Sequence, residues 1–69
     1  MLDNKSTLVR IVEDGRTQFH MVDDFTILNG VISFTIGITP YKYEFSLLAY
    51  QYLTKYNFID CSNLKAINF

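Results

Sequence analysis

The sequence predicts a small α+β domain: a four-stranded antiparallel meander made of two hairpins, one helix packed on one face of it, and a short C-terminal strand. Three observations carry this expectation. Asn29-Gly30 sits between segments that alternate apolar and polar residues. Glu13-Asp14-Gly15 sits between two segments rich in β-branched and aromatic residues. After Thr39-Pro40 the apolar spacing changes from two residues to three or four. The 69 residues, 49% hydrophobic and 19% charged, suit a single domain over residues 1–69 and are too apolar for a disordered chain.

The first hairpin joins Thr7 to Val12 with Thr17 to Val22. A two-residue Asp14-Gly15 loop would set Phe19 beside Arg10. A three-residue loop with Gly15 left-handed sets Val9, Ile11, Phe19 and Met21 on one face. The second arrangement gathers the apolar side chains and is the one expected, with Arg10, Gln18, Leu8, Val12 and His20 on the outer face.

The second hairpin is the strongest local signal. Asn29-Gly30 favours a type I′ turn, which pairs Leu28 with Val31, Ile27 with Ile32, Thr26 with Ser33 and Phe25 with Phe34. Phe25, Ile27, Ile32, Phe34 and Ile36 then share the core face, because side chains alternate along a strand. Only Asp23-Asp24 separates the two hairpins, which favours a meander.

Thr39 as N-cap and Pro40 at the first helical position open a helix that runs to about Tyr56. At 100° per residue, Tyr41, Phe45, Leu48, Ala49, Tyr52 and Tyr56 form its core-facing stripe. Asn57 ends it, Asp60 to Asn63 turn the chain, and Lys65, Ile67 and Phe69 alternate as in a strand.

Charge and cysteine content narrow the function. The net charge is −1, and the six cations (Lys5, Arg10, Arg16, Lys42, Lys55, Lys65) are dispersed, which argues against nucleic acid as partner. The single Cys61 has no intramolecular disulfide partner. No secretory leader pattern opens the chain, and no apolar run reaches the length of a membrane span. A cytoplasmic protein without a membrane partner is expected.

Candidate chemistry is sparse. His20 with Asp23 and Asp24 is the one group that suggests a metal site or general base, but neighbouring strand residues point to opposite faces. Cys61 and His20 would need to touch to make a thiolate nucleophile, and a buried small hydrophobe is the commoner role for a lone cysteine. Ser33 and Ser46 lack a nucleophile elbow, and Gly15, Gly30 and Gly37 match no phosphate-binding pattern. No catalytic residue, metal or cofactor is predicted, and an enzyme is not expected.

All five tyrosines lie between positions 41 and 56. Tyr43, Leu47 and Tyr50, continued by Thr54, fall opposite the core stripe of the expected helix, and large rings with a polar tip suit the centre of an interface. The function expected is a non-enzymatic protein–protein interaction module. It would act as a small inhibitor or regulator on a larger partner, or by self-association as a homo-oligomer. The alternative is a small nucleic-acid-binding protein using Arg10, Arg16, Gln18 and His20.

Overall fold

The computed structural model describes residues 6–67. The chain forms β1 (Thr7–Glu13), β2 (Arg16–Val22), β3 (Thr26–Leu28), β4 (Val31–Ile36), β5 (Thr39–Glu44), α1 (Leu47–Tyr56) and β6 (Phe58–Asp60). It is a small α+β domain with two three-stranded sheets, ordered β2-β1-β6 and β3-β4-β5, in place of one four-stranded meander. The sheets cover each other. Val9, Ile11, Val22 and Ile59 of the first meet Ile32, Phe34 and Tyr43 of the second in one buried cluster that also holds Cys61.

The Asn29-Gly30 turn has the expected register, with Leu28 opposite Val31 and Ile27 opposite Ile32. Both turn residues have positive φ, 54° and 75°, as a type I′ turn requires. Ile32 and Phe34 are buried on the inner face, and Phe25, Ile27 and Ile36 pack against them.

The first hairpin differs from the expected register by one residue. Asp14 and Gly15 both take positive φ, so the loop has two residues and Arg10 stands opposite Phe19. A one-residue change reverses the faces of the second strand. Gln18, His20 and Val22 therefore share the inner face with Thr7, Val9 and Ile11, while Phe19 and Met21 join Leu8, Arg10 and Val12 outside. The half-buried polar pair inside is satisfied locally, since His20 Nε2 lies 2.9 Å from Gln18 Oε1.

The expected helix start at Thr39-Pro40 is a strand. Gly37 takes φ 64° in a two-residue turn that sets Ile36 opposite Thr39 and pairs β5 with β4 through Glu44. Pro40 is tolerated because it falls opposite Thr35 at a position outside the hydrogen-bonded pairs. Tyr41 and Tyr43 fit a two-residue alternation as well as a helical wheel, and stacking on Phe34 decides between them. Their ring centroids lie 5.7 Å and 6.0 Å from that of Phe34.

Ser46, not Thr39, caps α1, its hydroxyl accepting from the Ala49 N–H at 3.4 Å. The helix does not pack on the inner face of a sheet, because each sheet already covers the other there. It packs along β6 and turns Ala49 and Leu53, the half-buried pair, toward the domain. Asn57 closes it in the left-handed region (φ 53°), donating its N–H to the Leu53 carbonyl at 2.9 Å. The Asn57 side-chain amide also donates to the Ser6 carbonyl at 2.6 Å, and the Asn57 main-chain carbonyl accepts from the Leu8 N–H at 3.1 Å, which ties the helix end to β1.

From that tie the chain enters β6, which runs parallel to β1 with Val9 opposite Ile59. The C-terminal strand expected from Lys65 onward is present as a single antiparallel bridge between Ala66 and Tyr43. Glu44 donates to the Lys65 carbonyl at 2.9 Å and Ile67 to that of Lys42 at 2.8 Å. Phe69 of the expected strand lies outside the described residues.

Candidate interaction surface

The structure separates the four residues expected to form one helical stripe. Tyr43 belongs to β5 and is buried in the core, where burial pushes its phenol up to about 12. Leu47, Tyr50 and Thr54 are in α1 and exposed, and the Tyr50 ring leans on Phe45 at 5.8 Å. The premise of a continuous Tyr43-Leu47-Tyr50-Thr54 row therefore fails at its first member.

The more extensive exposed row is one that the helical wheel assigned to the core. Leu48, Tyr52 and Tyr56, spaced i, i+4 and i+8, are 68%, 53% and 60% exposed. They lie on one flank because four residues nearly complete a helical turn. The Tyr52 and Tyr56 rings stack at 6.3 Å, and the Lys55 ammonium lies 5.3 Å from the Tyr56 centroid. The inner faces of the sheets cover each other, so neither receives this flank. The helix instead turns Ala49 and Leu53 toward the domain, and of these only Ala49 belongs to the expected stripe.

An open groove of about 580 Å³ runs beside the flank. Leu48, Ala49 and Tyr52 form one wall, Phe58, Asp60 and Leu64 contribute the other, and Ser46 and Asn63 complete it. Phe58 is placed here by the parallel pairing, opposite Leu8, which itself stands opposite Met21. An apolar row, Met21-Leu8-Phe58, thus crosses the outer face of the first sheet and ends at the groove.

The adjoining row is Phe19-Arg10-Asp60. Arg10 donates to Asp60 Oδ2 at 2.7 Å and to the Ser62 hydroxyl at 3.0 Å. Burial raises the Asp60 pKa, but bonds from the Ser62 hydroxyl and N–H, with the Arg10 guanidinium, outweigh it and hold the carboxyl below the usual range. Of the two cations expected on a nucleic-acid surface, Arg10 is therefore already paired, while Arg16 is exposed.

The residues singled out for chemistry do not converge. His20 bonds to Gln18, the Ser6 hydroxyl donates to Asp23 at 2.5 Å, and Asp24 accepts from both the N–H and the hydroxyl of Thr35. Those Thr35 bonds hold the Asp24 carboxyl below its usual range. Among the described residues no group of three or more His, Cys, Asp or Glu is placed to hold a metal ion. Cys61 is buried, and that burial, with the Asp60 charge second, pushes its thiol up to about 12, far from nucleophilic. No helix among the described residues is long and apolar enough to cross a membrane. No protein-family model, curated protein or solved structure matches the chain.

Proposed function

We propose that the protein is a non-enzymatic protein-binding module, an inhibitor or regulator that engages a larger partner through α1 and the groove beside it. One observation carries the reading. Seven of the ten residues of α1 are Leu, Ala or Tyr, yet none is buried. A helix of that composition ordinarily spends its apolar face on its own domain, and an unspent one suits a partner. Leu48, Tyr52 and Phe58 would form the desolvated centre, with Gln51, Lys55 and Asn63 as a polar rim.

The test pairs two double variants in a partner-capture assay, with circular dichroism as the control for folding. Leu48→Glu with Tyr52→Ala should abolish capture while leaving the fold intact. Leu47→Glu with Tyr50→Ala, on the opposite flank, should reduce it less. Capture unaffected by the first variant would refute the assignment.

A further inference from the structure

The other edge of the first sheet carries a second surface, independent of α1. β2 is an edge strand: no strand pairs with it on the side away from β1 among the described residues. In a hairpin with a two-residue loop the residues flanking the loop, Glu13 and Arg16, form a hydrogen-bonded pair, and bonded and non-bonded pairs then alternate. Thr17, Phe19 and Met21 therefore turn both N–H and C=O away from β1. The side chains of Phe19 and Met21 are 58% and 61% exposed on the outer face beside them. Natural sheet edges are usually blunted by a lysine, a proline or a bulge, and β2 has none of these in its seven residues.

The ends of the strand carry opposite charge. Arg16 opens β2, and Asp23 and Asp24 follow directly after Val22, all three exposed. Parallel alignment of two such strands would place like charges together. Antiparallel alignment brings Arg16 of each copy to the acidic end of the other, twice over. With Phe19 opposite the second copy's Met21, both pairs of outward backbone groups meet in register, and an aromatic ring lies against a thioether in each half.

We propose that the protein forms a homodimer by antiparallel β2–β2 pairing, which joins the two β2-β1-β6 sheets into one six-stranded sheet. Both copies use the same edge, so the pairing is isologous and stops at two. α1 packs along β6, at the opposite edge, and each dimer presents two copies of it.

The experiment is sedimentation equilibrium on the intact chain, made also by chemical synthesis with Phe19 replaced by its Nα-methyl derivative. That change removes one outward N–H and no β1 bond. At about 0.1 mM, where a contact of micromolar affinity is filled, the native chain should have twice the 8.1 kDa chain mass. The methylated chain should have the single mass with an unchanged circular dichroism spectrum. A native chain that is monomeric at this concentration, or a methylated chain that still dimerises, overturns the proposal.

Should the methylated chain fail to fold, a charge exchange decides. Arg16→Asp and Asp23→Arg should each weaken association at least tenfold alone, and an equimolar mixture should recover it as a heterodimer. No recovery on mixing overturns the proposal. Leu48→Glu should leave the dimer intact, and its loss there would move self-association to α1 and overturn the β2 pairing.

Discussion

Tyr43 stacks on Phe34 with ring centroids 6.0 Å apart and planes inclined by 19°, a contact between neighbouring strands that forms the middle of the core. Phe25 and Tyr41 flank Phe34 in the same way, so one ring has three aromatic neighbours. Phe34→Ala should cost about 3–5 kcal/mol, through lost transfer energy and the cavity left behind. Denaturant unfolding monitored by tyrosine fluorescence checks it. A loss below about 1 kcal/mol would mean that the cluster does not support the fold.

Gly30 takes φ 75° with open space where a Cβ would stand. Gly30→Val should destabilise the domain by about 1–3 kcal/mol through backbone strain alone, since nothing crowds the site. Gly30→Asn should cost less, because asparagine tolerates the left-handed region. Equal melting temperatures for the two variants would contradict a purely conformational origin.

Asp60 sets an acid-side dependence. Its carboxyl is held below the usual 3.8 when folded, so the stability it contributes is present above that value and is lost as pH falls through the lower, folded one. Asp60→Asn should flatten the loss of stability on acidification below about pH 5. Urea midpoints measured from pH 6 downward for both chains test this, and parallel acid limbs would refute it.

Cys61 and Tyr43 set the alkaline side. Burial raises both folded values to about 12, from a usual 9.0 for the thiol and 10.0 for the phenol. In the unfolded chain both groups release their protons first, so stability should decline as pH rises from the ordinary values toward 12. Cys61→Ala should remove the thiol's share of the decline. At pH 8 the folded protein should resist iodoacetamide and react only after denaturant is added; rapid labelling of the native chain would show the thiol to be accessible.

The turn and register of the second hairpin are legible because Asn29-Gly30 specifies both together, though the ladder stops at Thr26–Ser33, one pair short of the expected Phe25–Phe34. Sequence reasoning finds the first hairpin but not its register. Asp14-Gly15 is compatible with loops of two and three residues, and the apolar pattern favoured the longer, whereas the fold turns Gln18 and His20 inward and satisfies them locally. Pro40 to Glu44 fit both periodicities, so the pattern alone starts the helix about two turns before Leu47 and places Tyr43 on an exposed face. The parallel pairing of β6 with β1 joins residues about fifty positions apart and has no local signature. Of the expected row, Leu47, Tyr50 and Thr54 are exposed on α1 and Tyr43 is not. The helical wheel turns Leu48, Tyr52 and Tyr56 to the interior, because nothing local reveals that the inner faces of the sheets cover each other.

The β1–β6 pairing also decides how the domain would respond to traction. The strands are parallel, with Leu8 beside Phe58 and Arg10 beside Asp60, so a force applied at Ser6 and at Cys61 draws them in opposite directions along their length. The bonds between them are then loaded in shear, all at once, and the Arg10–Asp60 bridge resists the same sliding. In the β1–β2 hairpin, tension across its open end opens the bonds one after another. A tether between positions 6 and 61 should therefore yield at a higher force than one between 6 and 23, a directional strength that global unfolding free energy does not report.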